Sequence, residues 1–322
     1  MTFRSLVLAL ACMAAPAAIC AQGAAPNAAP AHQIHVGPRG DRLMGAQGSA
    51  DIIMPHITDS HTIELPFGYA WEIPRWKPVR IGSVVIDFSI TKHVVMLLVA
   101  AILCMVVLIP AAIAHERHTT ERGSPKGFAT GIEAVVLYIR NDVVLANVGP
   151  HGNAFVPFGL TLFFFILFAN LLGLVPYGST ATGNISVTGM LAIITFVVVE
   201  ATGIKTQGWR YLRTIFYVPP KEIPFVMKLF MVPIMTVVEI IGKFTKPFAL
   251  AVRLFANMTA GHVVLLALIS LIFTFASYWV GIPSVLMGVG SSLLEIFVAF
   301  LQAYIFTILS CVFIGLIRSE AH

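Results

Sequence analysis

The chain has 322 residues, of which 58% are hydrophobic and only 11% charged, with a net charge of +5 and a mean hydropathy of +0.89. A soluble domain carries about 25% charged residues, so this composition excludes one and points to a polytopic membrane protein. The modest positive charge, with no basic run interleaved with aromatics, excludes a nucleic-acid partner.

Residues 1–21 read as a secretory signal, with Arg4 as the positive start, Leu6–Ile19 as the apolar stretch and Ala21 as a small residue before cleavage. The apolar stretch falls short of the about 20 residues a span needs. An uncleaved anchor is the alternative. Residues 22–91 begin rich in Ala, Pro, Gly and His, then gain Trp71, Trp76 and alternating apolar positions near Val84–Phe88. They are expected to be an exported, largely irregular extension with a short ordered part near the membrane.

Residues 92–322 are expected to form the membrane domain, with spans near 94–114, 155–176, 184–204, 230–276 and 283–317. Pro110 lies near the end of the first span, and a basic loop with Arg117, Arg122, Lys126 and Arg140 follows, including an amphipathic helix near Gly131–Leu145. The second span carries Asn170 as its one strong polar group. An uncharged turn, Gly178–Gly183, leads to the third, and a second basic loop follows with Lys205, Arg210, Arg213, Lys221 and Lys228. The basic loops share one side if the amino terminus is outside, which gives an N-out, C-in topology with five spans.

Length adds a constraint. Ile282–Ile317 carries a single charge, Glu295. As one helix it would be about 54 Å long against about 30 Å of hydrocarbon, which asks for a tilt of about 55°. The stretch Pro224–Ala276 is at least as long. The fold expected is therefore all-α and polytopic, with about five membrane-embedded helices, the last two long and strongly tilted. A break near Gly288–Gly290 is the plainer reading of the last one.

Arg253 is the residue to explain. It lies within Phe248–Val280, a run otherwise free of charge unless His262 is protonated. A guanidinium stays charged at any physiological pH, and placing it near a bilayer centre costs about 2.5–3.5 kcal/mol. With about 100° per residue and Arg253 as origin, Lys246 falls at about 20°, Glu239 and Asn257 near 40° and Lys243 near 80°, while His262 falls at about 180°. One face thus carries a fixed cation and another a titratable imidazole. On the last helix Glu295 and Gln302 share a face. Imidazole titrates near neutrality, and a neighbouring carboxylate can exchange its proton. Such a pair, with Gln302 and Asn170 holding solvent, suits proton handling; the arginine holds a mobile carboxylate in its charged form. Helix–helix hydrogen bonding is the plain reading of each polar residue alone. An anion transporter with an arginine clamp and a structural subunit also remain open, although no internal repeat is visible.

No CxxC is present, and the pairs His32/His35, His56/His61 and His115/His118 lack cysteine or acidic company at ligand spacing, so no metal is expected. No cofactor motif is seen, and a GxxxxGK[ST] phosphate loop is absent.

The stretch Lys246-Pro-Phe-Ala-Leu-Ala-Val-Arg253-Leu-Phe-Ala-Asn257-Met-Thr-Ala-Gly261-His262 closely resembles the signature helix of subunit a of the F-type ATP synthase. Ala169-Asn170-Leu-Leu-Gly-Leu-Val-Pro176 resembles that family's second-span motif, Asn184-Ile-Ser the start of its third span, and Leu301-Gln302-Ala-Tyr-Ile-Phe306 its last helix. The resemblance covers about residues 90–320. It implies a stator subunit of the bacterial inner membrane beside a ring of c subunits, with the b-subunit peripheral stalk and membrane lipid as further partners. It implies no substrate other than the transported ion and no catalytic chemistry in this chain alone. Arg253 matches the essential arginine facing the ring carboxylates and Asn257 its polar neighbour. Asn170, His262, Glu295 and Gln302 match positions on the periplasmic half-channel, and Glu239 an acidic position on the cytoplasmic one. Many bacterial members carry the acid at the place of His262 and the histidine at the place of Glu295. Here they are exchanged, as in mitochondrial-type members, which implies that the two are neighbours and favours protons over sodium. Gly173 stands where some members have an aspartate.

Overall fold

The computed structural model describes residues 62–64, 70–73, 79–81, 84–86, 90–121, 128–149, 152–175, 180–211, 225–275 and 277–319. The expected signal, 1–21, and most of the extension, 22–91, lie outside the described residues. Within the extension, four short strands make two antiparallel hairpins. β1 (Thr62–Glu64) pairs with β2 (Ala70–Glu72), placing Ile63 opposite Trp71. β3 (Val79–Ile81) pairs with β4 (Val84–Ile86), placing Arg80 opposite Val85.

From residue 92 onward the described elements are helical. α1 is Lys92–Glu121 and α2 is Phe128–Tyr138. α3 is Val156–Gly173, α4 Ile185–Gln207, α5 Phe225–Phe275 and α6 Tyr278–Ser319. Among the described residues, five helical segments, containing α1, α3, α4, α5 and α6, are long and apolar enough to cross a membrane. The expected amphipathic helix departs from regular geometry: α2 continues as a π-helical stretch, Ile139–Leu145, before one further turn, Ala146–Val148.

α3 is apolar on every side, with Thr161 and Asn170 as its polar side chains, and such a helix belongs inside a bundle. Thirteen of its 18 residues are buried, and α1 and α6 pack against it. α5 is the opposite case. It packs along α6 and α4, yet most of its described side chains stay exposed or half-buried. Leu250, Ala251, Leu254 and Met258 form its covered stripe, while Phe230, Ile241, Phe244 and Phe248 stay exposed.

The last two helices are long and continuous. α5 has 51 residues and α6 has 42, or about 76 and 63 Å at 1.5 Å per residue. α6 runs unbroken through Gly288 and Gly290, so the plainer reading of a break there is set aside. It also begins before Pro283. The Ser277 carbonyl already accepts from Gly281 N at 2.8 Å, so the connection to α5 is shorter than the sequence suggested.

Candidate functional site

α5 and α6 are antiparallel, and polar groups mark successive levels along their seam. At one level the Glu295 carboxylate lies on the α5 backbone: a Cβ added at Gly261 would stand 2.9 Å from Glu295 Oε1. That places the acid one residue from His262, which is half-buried. Glu295 is 5% exposed, and neither of its carboxylate oxygens has a hydrogen-bond partner among the described residues. At the next level Gln302 Nε2 approaches the Arg253 backbone carbonyl at 3.5 Å. Lower still, Lys246 Nζ sits 5.4 Å from the centre of the Phe313 ring.

Asn170 of α3 joins the upper part of this seam. It is fully buried, with Nδ2 3.4 Å from the Ala299 carbonyl, between Glu295 and Gln302 on one face of α6. Its Oδ1 accepts from Thr182 Oγ1 at 2.8 Å, in the turn Ala181–Gly183. Thr180 Oγ1 and Thr259 Oγ1 nearby are buried without a partner among the described residues, and a Cβ at Gly183 would lie 3.8 Å from Thr259 Oγ1. Buried polar atoms are nearly always satisfied, so this group of hydroxyl and carboxylate oxygens is suited to meet water. A Cβ at Gly173 would lie 2.7 Å from Thr180 Cβ, so Thr180 fills the space where an acidic side chain would begin. Asn184 caps α4 by accepting from Ser186 N at 3.0 Å, and its Nδ2 lies 3.4 Å from His93 Nδ1 at the start of α1.

Arg253 and Asn257 lie on the exposed side of α5, as does Glu239. Among the described residues the Arg253 guanidinium makes no hydrogen bond or ion pair, and the same holds for the Glu239 carboxylate. Of the stripe drawn from the sequence, Glu239, Lys246, Arg253 and Asn257 are thus open to the outside of the chain, while Lys243 turns inward to Glu200.

A second polar cluster lies toward the other end of α5. Gly208 adopts a φ of 55°, which turns the chain at the end of α4 into the turn Gly208–Tyr211. Tyr211 folds back over Gly203, where a side chain would collide with its ring. Its hydroxyl donates to Glu200 Oε2 and accepts from Lys243 Nζ at 2.8 Å. Lys243 Nζ also lies 3.6 Å from Glu200 Oε1 and 4.3 Å from the Tyr211 ring centre. Glu200, Glu239, Lys243 and Lys246 line one cavity of about 120 Å³ between α4, α5 and α6.

The sequence singled out Asn170, Glu239, Arg253, Asn257, His262, Glu295 and Gln302. The structure gathers Asn170, Glu295, Gln302 and the Gly261–His262 turn along one seam and puts Arg253, Asn257 and Glu239 on the open face. Glu200, Tyr211, Thr180, Thr182 and Thr259 went unnoticed. Glu200 alone left a signal, as the single acid of the third span.

The sequence profile of the family described as ATP synthase A chain matches residues 93–315. The chain belongs to the ATP synthase A chain family. It is 44% identical over 288 residues to ATP synthase subunit a 2 of Chlorobaculum tepidum, covering 88% of this chain and 78% of that one. It is 47% identical over 271 residues to ATP synthase subunit a 2 of Chlorobium luteolum, covering 83% and 75%. The similarity extends to Anaeromyxobacter dehalogenans, whose ATP synthase subunit a is 39% identical over 339 residues, covering 94% and 85%. Family membership accounts for the motif helix around Arg253, which lies inside the matched range.

Proposed function

We propose that the chain is the stator channel subunit of a rotary ATP synthase and carries protons to and from a ring of c subunits through two offset half-channels. The coarse reading follows from the family: a proton-translocating membrane subunit that does no catalysis by itself. The finer one is carried by one observation. A permanent cation stands on an uncovered helix face, with no anion among the described residues to meet it, between two separate polar clusters. Gly261, where Glu295 lies, is about 12 Å along α5 from Arg253, and Lys243 is about 15 Å away on the other side.

In this mechanism a proton enters from the periplasm past Asn170, Thr182, Glu295 and His262 and neutralises a ring carboxylate. The neutral carboxyl crosses lipid at far lower cost than its anion. After nearly a full turn it releases the proton to the cytoplasmic cavity that Glu239 lines. Arg253 then stabilises the carboxylate as an anion and separates the two paths, with Asn257 beside it. Each proton crossing yields about 2.3 kcal/mol per 100 mV, so several must add for one ATP. The amino terminus is periplasmic, the carboxyl terminus cytoplasmic, and the b subunit completes the stator. α5 and α6 exceed the bilayer thickness and lie strongly tilted against the ring.

The test is ATP-driven acidification of inverted membrane vesicles, comparing Arg253→Ala with wild type at equal complex content. Loss of pumping with intact assembly supports the reading. Pumping near the wild-type rate makes the arginine structural and overturns it.

A further inference from the structure

Glu239 and Lys243 are four residues apart on α5, with the acid toward the amino end, the arrangement in which a helical Glu–Lys pair forms most readily. Both line the same cavity. The pair nevertheless does not form. Lys243 turns to α4, where Glu200 Oε1 lies 3.6 Å away and the Tyr211 hydroxyl 2.8 Å away. Lys246, the other cation of the cavity, is drawn over Phe313 on α6. Glu239 is left exposed, with no ion pair among the described residues.

We infer that Glu200 and Tyr211 are positioning residues that sequester Lys243 and so keep the Glu239 carboxylate free to accept an ion. The inference rests on the reading of Glu239 as part of the cytoplasmic half-channel. Three features of the local structure support it. Tyr211 is 3% exposed and locked by its place over Gly203, so its hydroxyl is fixed. Its hydroxyl both accepts from the ammonium and donates to the carboxylate, which sets the two charges at one place. Gln207 Nε2 donates to the Ile317 carbonyl at 2.8 Å, holding this end of α4 on α6 independently of the charges. The ion pair is therefore not what attaches α4 at this end; it disposes of the lysine.

A released ammonium would take the nearest carboxylate, and a charge-assisted hydrogen bond there would hinder protonation of Glu239. Glu200→Gln is expected to lower ATP-driven acidification about tenfold, the effect of a charge-assisted hydrogen bond on the blocked acceptor. Tyr211→Phe, which keeps the ring, is expected to fall between that variant and wild type. The decisive arm is Lys243→Met. Added to Glu200→Gln or Tyr211→Phe it restores pumping above that of the single variant, because no ammonium remains to block Glu239. Glu200→Asp restores part of the activity without the second change. A purely structural clamp gives the reverse pattern: Lys243→Met is as damaging as Glu200→Gln, and the double variant is no better. That pattern, or a Glu200→Gln variant that pumps at the wild-type rate, overturns the inference. Arg253→Ala and Glu239→Gln measured in the same vesicles report on the underlying reading: if both pump normally, the half-channel assignment has failed and not only the role of Glu200.

Discussion

Glu295 owes its place to an atom that is missing. With no side chain at Gly261, the carboxylate can rest on the α5 backbone, and a methyl group there would stand 2.9 Å from Oε1 and 3.0 Å from the carboxyl carbon. What must yield is the end of a flexible side chain, so the helices need not move. Gly261→Ala is therefore expected to leave thermal stability within about 1 kcal/mol, since alanine also favours the helix. If Glu295 passes protons as proposed, pumping is expected to fall about tenfold or more, because displacement of a transfer group by an ångström is costly. Parallel measurement of complex stability and ATP-driven acidification checks this; a joint loss or joint retention contradicts it. The sequence disclosed the residue types of the path through one cation and a few polar groups in apolar surroundings. It did not disclose Thr180, Thr182 and Thr259, because a hydroxyl in an apolar helix or turn normally bonds to a carbonyl of its own chain, as Thr195 and Thr307 do. Tyr211 was hidden for another reason: its partner Lys243 comes 32 residues later, and only the turn at Gly208 brings them together.

Among the elements, α6 holds the bundle together, touching α3, α4 and α5 and the short turn Ala146–Val148. Its last turns sit close on that piece. Arg318 Nη1 donates to the Val148 carbonyl at 3.1 Å, and a Cβ at Gly315 would lie 3.0 Å from the Asn147 carbonyl carbon. The obstacle here is backbone, which cannot turn aside. Gly315→Ala is thus expected to destabilise the assembled complex by about 1–3 kcal/mol, as overpacking does. A lowered Tm of the detergent-purified complex would show it; an unchanged Tm would mean that the two segments slide apart freely. Hydropathy made the spans readable because the bilayer enforces apolarity over about 20 residues. Their ends were less readable. Pro283 looks like a first helical residue, yet the Ser277 carbonyl starts α6 earlier. The π-helical stretch Ile139–Leu145 keeps an apolar pattern much like that of an α-helix, so its extra residue per turn leaves little trace in sequence.

Taken whole, the molecule has two kinds of outer apolar surface. α1 exposes Ile102 and Val106, at 55% and 60%, within residues 94–114, a stretch that carries no charge. α5 exposes Met235 and Val264, at 43% and 50%, on the side that carries Glu239, Arg253 and Asn257. Lipid suits the first surface, and a partner bearing carboxylates suits the second. A photo-crosslinking residue at 235 or 264 in the assembled synthase is expected to capture a c subunit, and one at 102 to capture none. Capture at 102 alone would place the ring on the wrong face.

The bare guanidinium of Arg253 also bears on how the synthase is put together. In an orphan chain it would meet hydrocarbon, at a cost of about 2.5–3.5 kcal/mol, offset by water defects and local thinning of the bilayer. In the function proposed above, docking of a ring whose carboxylate faces it would relieve that distortion. Part of the drive for assembly would then be stored in the membrane around the unassembled subunit and released when the two parts meet.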